Sequence, residues 1–88
     1  MKIKVEVTER NIRLGKNHAS NVFNCPLARA LKRTLRKRFY STGWAGFTTT
    51  DGYRVEFPLK AKLFQDRLFD GKPVKPFSFT ISLPAKTR

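Results

Sequence analysis

Residues 24–40 read Asn-Cys-Pro-Leu-Ala-Arg-Ala-Leu-Lys-Arg-Thr-Leu-Arg-Lys-Arg-Phe-Tyr, and the rest of the chain is organised around them. Leu27, Leu31, Leu35 and Phe39 recur every four residues. At about 100° per residue they form one stripe, with Ala28 and Ala30 at its margins. Arg29, Lys32, Arg33, Arg36 and Lys37 fall on the opposite side. The spacing predicts an amphipathic helix over 25–40. Asn24 is its expected N-cap, and Pro26 sits in the first turn, where its missing N–H costs nothing. The cations crowd toward the C-terminal end, where the helix dipole favours them. Gly43 ends the segment.

Upstream, Ile3, Val5 and Val7 alternate with Lys2, Lys4, Glu6 and Thr8, the pattern of a half-buried strand. Thr8 can cap a short helical turn through Ile12 and Leu14 that ends at Gly15. Residues 15–24 are polar and loop-like, with Val22 and Phe23 as anchors. Downstream, 44–50 and 53–57 read as a hairpin joined by Asp51-Gly52, a pair suited to a two-residue type I′ connection. Pro58 opens a second helix over 58–69, closed by Asp70-Gly71. That helix is apolar on two sides: Ala61, Phe64 and Leu68 on one, Leu59 and Leu63 on another. Two apolar sides imply more than one neighbour. Phe77, Phe79, Ile81 and Leu83 alternate with Ser78, Thr80 and Ser82 in a last strand.

The expected fold class is therefore α+β. Its form would be a small antiparallel sheet of about four strands with two helices on one face. The order βαββαβ suits a ferredoxin-like arrangement. One domain over 1–84 is expected, with a flexible basic tail at 85–88.

Eighty-eight residues carry 19 Lys+Arg against 6 Asp+Glu, a formal net charge of +13. Apolar residues make up 40% of the chain, with eight Phe, enough to build a core and too many for a disordered basic tail. Excess charge of one sign repels itself in the folded state, and a polyanion relieves that cost. The charge is also unevenly placed. Glu9 and Asp51 bracket residues 10–50 with no acid between them, and nine cations lie in that interval. A helix stabilised by its own surface pairs carries Glu four residues before Lys, whereas here Arg29/Arg33, Lys32/Arg36 and Arg33/Lys37 set like charges at that spacing. The expected contact residues are Arg29, Lys32, Arg33, Arg36, Lys37 and Arg38. Tyr40 and Trp44 either finish the core or stack on bases or fill a partner pocket. The outward face of the sheet, with Lys2, Lys4, Glu6, Arg54, Glu56, Ser78, Thr80 and Ser82, lacks the stacking aromatics of an RNA-recognition platform.

Catalysis finds little support. Cys25 and His18 are single residues, and an inert buried thiol outweighs a nucleophile activated at a helix start. No Cys/His cluster has metal-ligand spacing and no glycine-rich phosphate loop is present. A non-enzyme with no cofactor, no metal and no small-molecule substrate is expected. A lone cysteine and the absence of a signal-peptide pattern point to the cytoplasm. No segment approaches the length of a membrane span. Membrane-surface docking through the helix stripe competes with the need of that stripe to cover a sheet.

Asn24-Cys25-Pro26-Leu27-Ala28-x-Ala30-Leu31 and Phe69-Asp70-Gly71-Lys72-Pro73-Val74-Lys75-Pro76-Phe77 resemble segments of small bacteriophage-encoded proteins of unassigned function. Those proteins share the Cys-Pro helix start and the Gly-Lys-Pro-Val-x-Pro-Phe entry into a last strand. The resemblance implies a phage context and the host-cell cytoplasm, and carries no active-site residues. Two functions are then in view. One is a phage-type accessory protein that binds nucleic acid or a nucleoprotein complex through the basic helix face. The other is an anti-CRISPR-type inhibitor of a host defence complex, whose basic face covers an acidic or guide-RNA surface.

Overall fold

A computed structural model describes residues 2–18 and 23–83. The expected tail at 85–88 lies outside them, as does Val22. The fold is α+β, with two antiparallel sheets in place of one. Strand β1 (Lys2–Val7) pairs with the last strand, β5 (Phe77–Ser82), in the register Lys2↔Ser82 to Val7↔Phe77. Because side chains alternate, this register sends Val5, Phe79 and Ile81 into the core together and leaves Lys2, Lys4, Thr80 and Ser82 outside. The second sheet has the order β2 (Phe39–Thr42), β3 (Gly46–Thr49), β4 (Arg54–Glu56).

Helix α1 (Glu9–Gly15) is held at its start by a reciprocal capping box. Thr8 Oγ1 accepts from the Asn11 amide at 3.1 Å, and the Thr8 amide donates to Asn11 Oδ1 at 3.0 Å. Helix α2 (Pro26–Leu35) follows, packed against α1, β1 and β2. It thus touches both sheets and is the element around which the core closes. Pro26, Leu27, Ala28, Ala30, Leu31 and Leu35 are buried, an arc of roughly 200° at 100° per residue and wider than the leucine stripe alone. The joint between α1 and α2 is tight: a Cβ on Gly15 would stand 2.6 Å from the Pro26 nitrogen. Helix α3 (Leu59–Phe69) buries Ala61, Phe64, Gln65 and Leu68.

Four expectations are corrected. The four-stranded ferredoxin-like sheet with two helices is replaced by strands grouped two and three, with three α-helices among the described residues. β4 and β5 lie side by side, yet no hydrogen-bonded ladder joins them. Phe57 instead packs on Phe79 edge to face, with ring centroids 5.8 Å apart. Second, the helix over 25–40 stops at Leu35. Arg36 takes φ 53° and ψ −118°, a 3-10 turn spans Arg36–Arg38, and Phe39 starts a strand. Phe39 is buried as the helix stripe requires, but from β2, where aromatic and β-branched residues favour extended backbone. Third, Cys25 is the N-cap in place of Asn24, its Sγ accepting from the Ala28 amide at 3.4 Å. Fourth, the β3–β4 connection has four residues, Thr50 to Tyr53. The Thr49 amide donates to the Tyr53 carbonyl at 2.8 Å, and Gly52 alone in the turn has positive φ, at 92°. A type I′ turn needs positive φ at both central residues, and Asp51 does not supply it.

Candidate functional site

The basic residues of 24–40 divide into two groups by what their side chains touch. In the first group, Arg33 reaches back across the fold. Its Nη1 donates to Asn11 Oδ1 at 3.1 Å and its Nη2 to the Glu6 carbonyl, so it braces α2 against β1 and the cap of α1. Arg38 lies 3.4 Å from Asp51 Oδ2, a pairing that joins the 3-10 turn to the β3–β4 hairpin. Its Nε is buried without a partner among the described residues. These two cations are at least partly structural.

In the second group, Arg29 Nε donates to the Asn24 carbonyl at 3.0 Å and Lys32 Nζ to Asn24 Oδ1 at 3.5 Å. Arg29 is half-buried and Lys32 exposed, and both cluster at the residue that precedes the Cys25 cap. Arg36 and Lys37 are exposed and make no side-chain hydrogen bond among the described residues. The positive φ at Arg36 turns the chain out of the helix, so these two cations project from a corner between α2 and β2.

Tyr40 follows that corner and is 58% exposed, so it does not finish the core. Its ring meets the edge of Phe23, centroids 6.3 Å apart and planes at 81°. Phe23 is itself 45% exposed, and its neighbour Asn24 receives Arg29 and Lys32. The result is a half-open aromatic pair with cations beside it, drawn from the start of α2, the α2 face and β2. Phe23, expected as an apolar anchor of the 15–24 loop, is instead left largely open, and its place in this pair was not expected because an isolated aromatic in a polar loop has no periodic partner. Its partner Tyr40 is 17 positions away and becomes a strand residue only when the helix stops early.

Trp44 belongs elsewhere. It sits at the tip of the β2–β3 turn, 45% exposed, and its Nε1 donates to Asp66 Oδ1 at 2.6 Å. Gln65 Nε2 donates to the Gly43 carbonyl at 3.2 Å. The turn is thus fastened to α3 at two points, and Trp44 acts as a tie.

Cys25 is buried, with Sγ 3.4 Å from Thr42 Oγ1, which joins the start of α2 to β2. Among the described residues no group of three His, Cys, Asp or Glu is placed to hold a metal ion. No helix among them is long and apolar enough to cross a membrane. The Glu56 carboxyl is clearly perturbed. The Lys62 ammonium donates to Glu56 Oε2 at 2.7 Å, and this bond, then the charge itself, holds the Glu56 carboxyl below its ordinary value of 4.5. That pair lies between β4 and α3, apart from the aromatic–cation cluster.

Comparison with family models, curated proteins and solved structures finds no match.

Proposed function

We propose that the protein binds nucleic acid without catalysis, through the surface formed by Phe23, Arg29, Lys32, Arg36, Lys37 and Tyr40. The observation that carries this reading is the exposed Phe23–Tyr40 pair beside cations in a stretch free of acids. Cations supply affinity for a phosphate backbone, and every base offers a face on which an aromatic ring can stack. Exposed rings suit single strands, whose bases are open, better than a closed duplex. The left-handed backbone at Arg36 adds support. A non-glycine residue there costs on the order of 1–3 kcal/mol, and such strain concentrates at functional surfaces.

A titration by fluorescence anisotropy with a labelled single strand, an RNA and a duplex across a salt series tests the reading. If Lys32, Arg36 and Lys37 each meet one phosphate, the slope of log K against log salt is about −2 on a single strand and about −3 on a duplex. Absence of binding to all three at low salt overturns it. A nucleoprotein partner, as an inhibitor of a defence complex would have, uses the same cations. Capture from nuclease-treated lysate separates the two, because a partner held only through nucleic acid is lost.

A further inference from the structure

The second apolar side of α3 has a groove beside it. Leu59 and Leu63, one helical turn apart, are 69% and 52% exposed. Next to Leu63 a groove of about 480 Å³ opens between α3 and the segment 73–77. Phe64 and Phe77 line it, with ring centroids 4.8 Å apart, together with Val74. The groove is built, with both walls tied. Arg67 forks its Nε and Nη2 onto the Pro73 carbonyl at 3.1 and 2.9 Å, and Lys60 Nζ donates to the Ser78 carbonyl at 3.1 Å. Lys60, Arg67 and Lys75 stand around it, and no acid among the described residues lines it.

We propose that this groove docks an acidic, leucine- or phenylalanine-bearing segment of a partner protein. The apolar floor takes aliphatic or aromatic side chains. Lys75, exposed and with no side-chain hydrogen bond among the described residues, takes a carboxylate between them, while Lys60 and Arg67 hold their carbonyls and keep the rim positive. Leu59, one turn before Leu63, extends the exposed apolar surface along α3 beyond the groove. A second copy of this chain fits badly, since each carries a net charge of +13 and would bring the same cations to the same face. Nucleic acid meets the cations but has no aliphatic knobs for the floor. The groove shares no residue with the Phe23–Tyr40 cluster, so its partner is independent of the proposed nucleic-acid binding.

The test is a titration of the full chain, labelled with 15N, by two synthetic peptides. One places Leu and Phe along a single helical face with Glu elsewhere; the other replaces every Glu by Lys. The expected result is shifts concentrated in 59–69 and 74–77 with the acidic peptide only. Leu63→Glu then weakens binding at least about tenfold. Lys75→Glu, on an exposed loop, weakens it about threefold and serves if Leu63→Glu fails to fold. Shifts confined to the region of Phe23 and Tyr40, or equal binding of the Lys peptide, overturn the proposal. So does a groove that responds to phosphatidylglycerol vesicles and not to the acidic peptide. Self-association that Leu63→Glu abolishes, with no response to the peptide, assigns the groove to a second copy and overturns it too.

Discussion

Helices α2 and α3 solve opposite problems. α2 buries all its leucines and leaves cations outside; at its C-terminal corner Arg36 and Lys37 have no side-chain partner among the described residues. α3 uses each of its cations. Lys60 holds the Ser78 carbonyl, Lys62 holds Glu56 and Arg67 holds the Pro73 carbonyl, while Leu59 and Leu63 face outward. The two segments look alike in composition, since both mix leucine with lysine and arginine. What distinguishes them is which kind of side chain the fold leaves unsatisfied. On α2 it is charge, which suits a polyanion; on α3 it is apolar surface, which suits a protein.

The largest expected contrast is in stability. Leu31 is fully buried between α2 and its neighbours, so Leu31→Ala should cost about 3 kcal/mol in chemical denaturation. Leu63→Ala on α3 should stay within about 0.5 kcal/mol of the parent protein. Equal losses at the two sites would erase the distinction between the helices.

Next comes affinity. Reversing Arg36 and Lys37 together to Glu should lower nucleic-acid affinity roughly a hundredfold at low salt with the melting temperature unchanged. Reversing Lys60 should change it less than about threefold, because that ammonium already serves a carbonyl. Anisotropy titrations at matched ionic strength measure both.

A smaller effect, of opposite signs, is expected at Arg36 itself. Glycine adopts its φ of 53° without strain, so Arg36→Gly should stabilise the fold by about 1 kcal/mol while weakening binding severalfold. Loss of stability would show that the arginine side chain works for the fold, as Arg33 does.

The smallest effect concerns the Lys62–Glu56 tie. The folded-state carboxyl is lowered below 4.5, so its contribution is present above that pH and is lost as pH falls through the lowered value. The pair is exposed and the effect slight. In Lys62→Met the Glu56 titration, followed by NMR, should move up toward 4.5; an unmoved titration shows that the tie is absent in solution.

Much of the fold was legible because it rests on periodicity. The alternation of 2–8 and 77–83, the Thr8 cap and the leucines of 27–35 are local patterns, and local patterns dictate local structure. The sheet grouping was not legible. It turns on Arg36 leaving the helix, where the continuing Leu35–Phe39 spacing still reads as helix, and on Phe57 meeting Phe79 across 22 positions. Of the contact residues, the placement of charge was visible and its use was not. Nothing in the string distinguishes Arg33, which reaches Glu6 and Asn11, from Arg36, which reaches nothing described; 27 and 22 positions separate Arg33 from those partners. The leucines on the second apolar side of α3 were visible, but the second neighbour expected to cover them is not found among the described residues, and the groove beside them required the 73–77 segment to fold back.

Trp44 is the single tryptophan of the chain, and its indole N–H is bonded to Asp66 across the β2–β3 turn. Excited through its indole alone, the protein therefore emits from one place. That emission reports whether the turn is seated on α3, through a tie that involves neither Phe23 nor Tyr40. A strand bound at the Phe23–Tyr40 surface with the turn still seated is thus expected to leave the emission unchanged, so a change during titration of the unlabelled protein reports unseating of the turn.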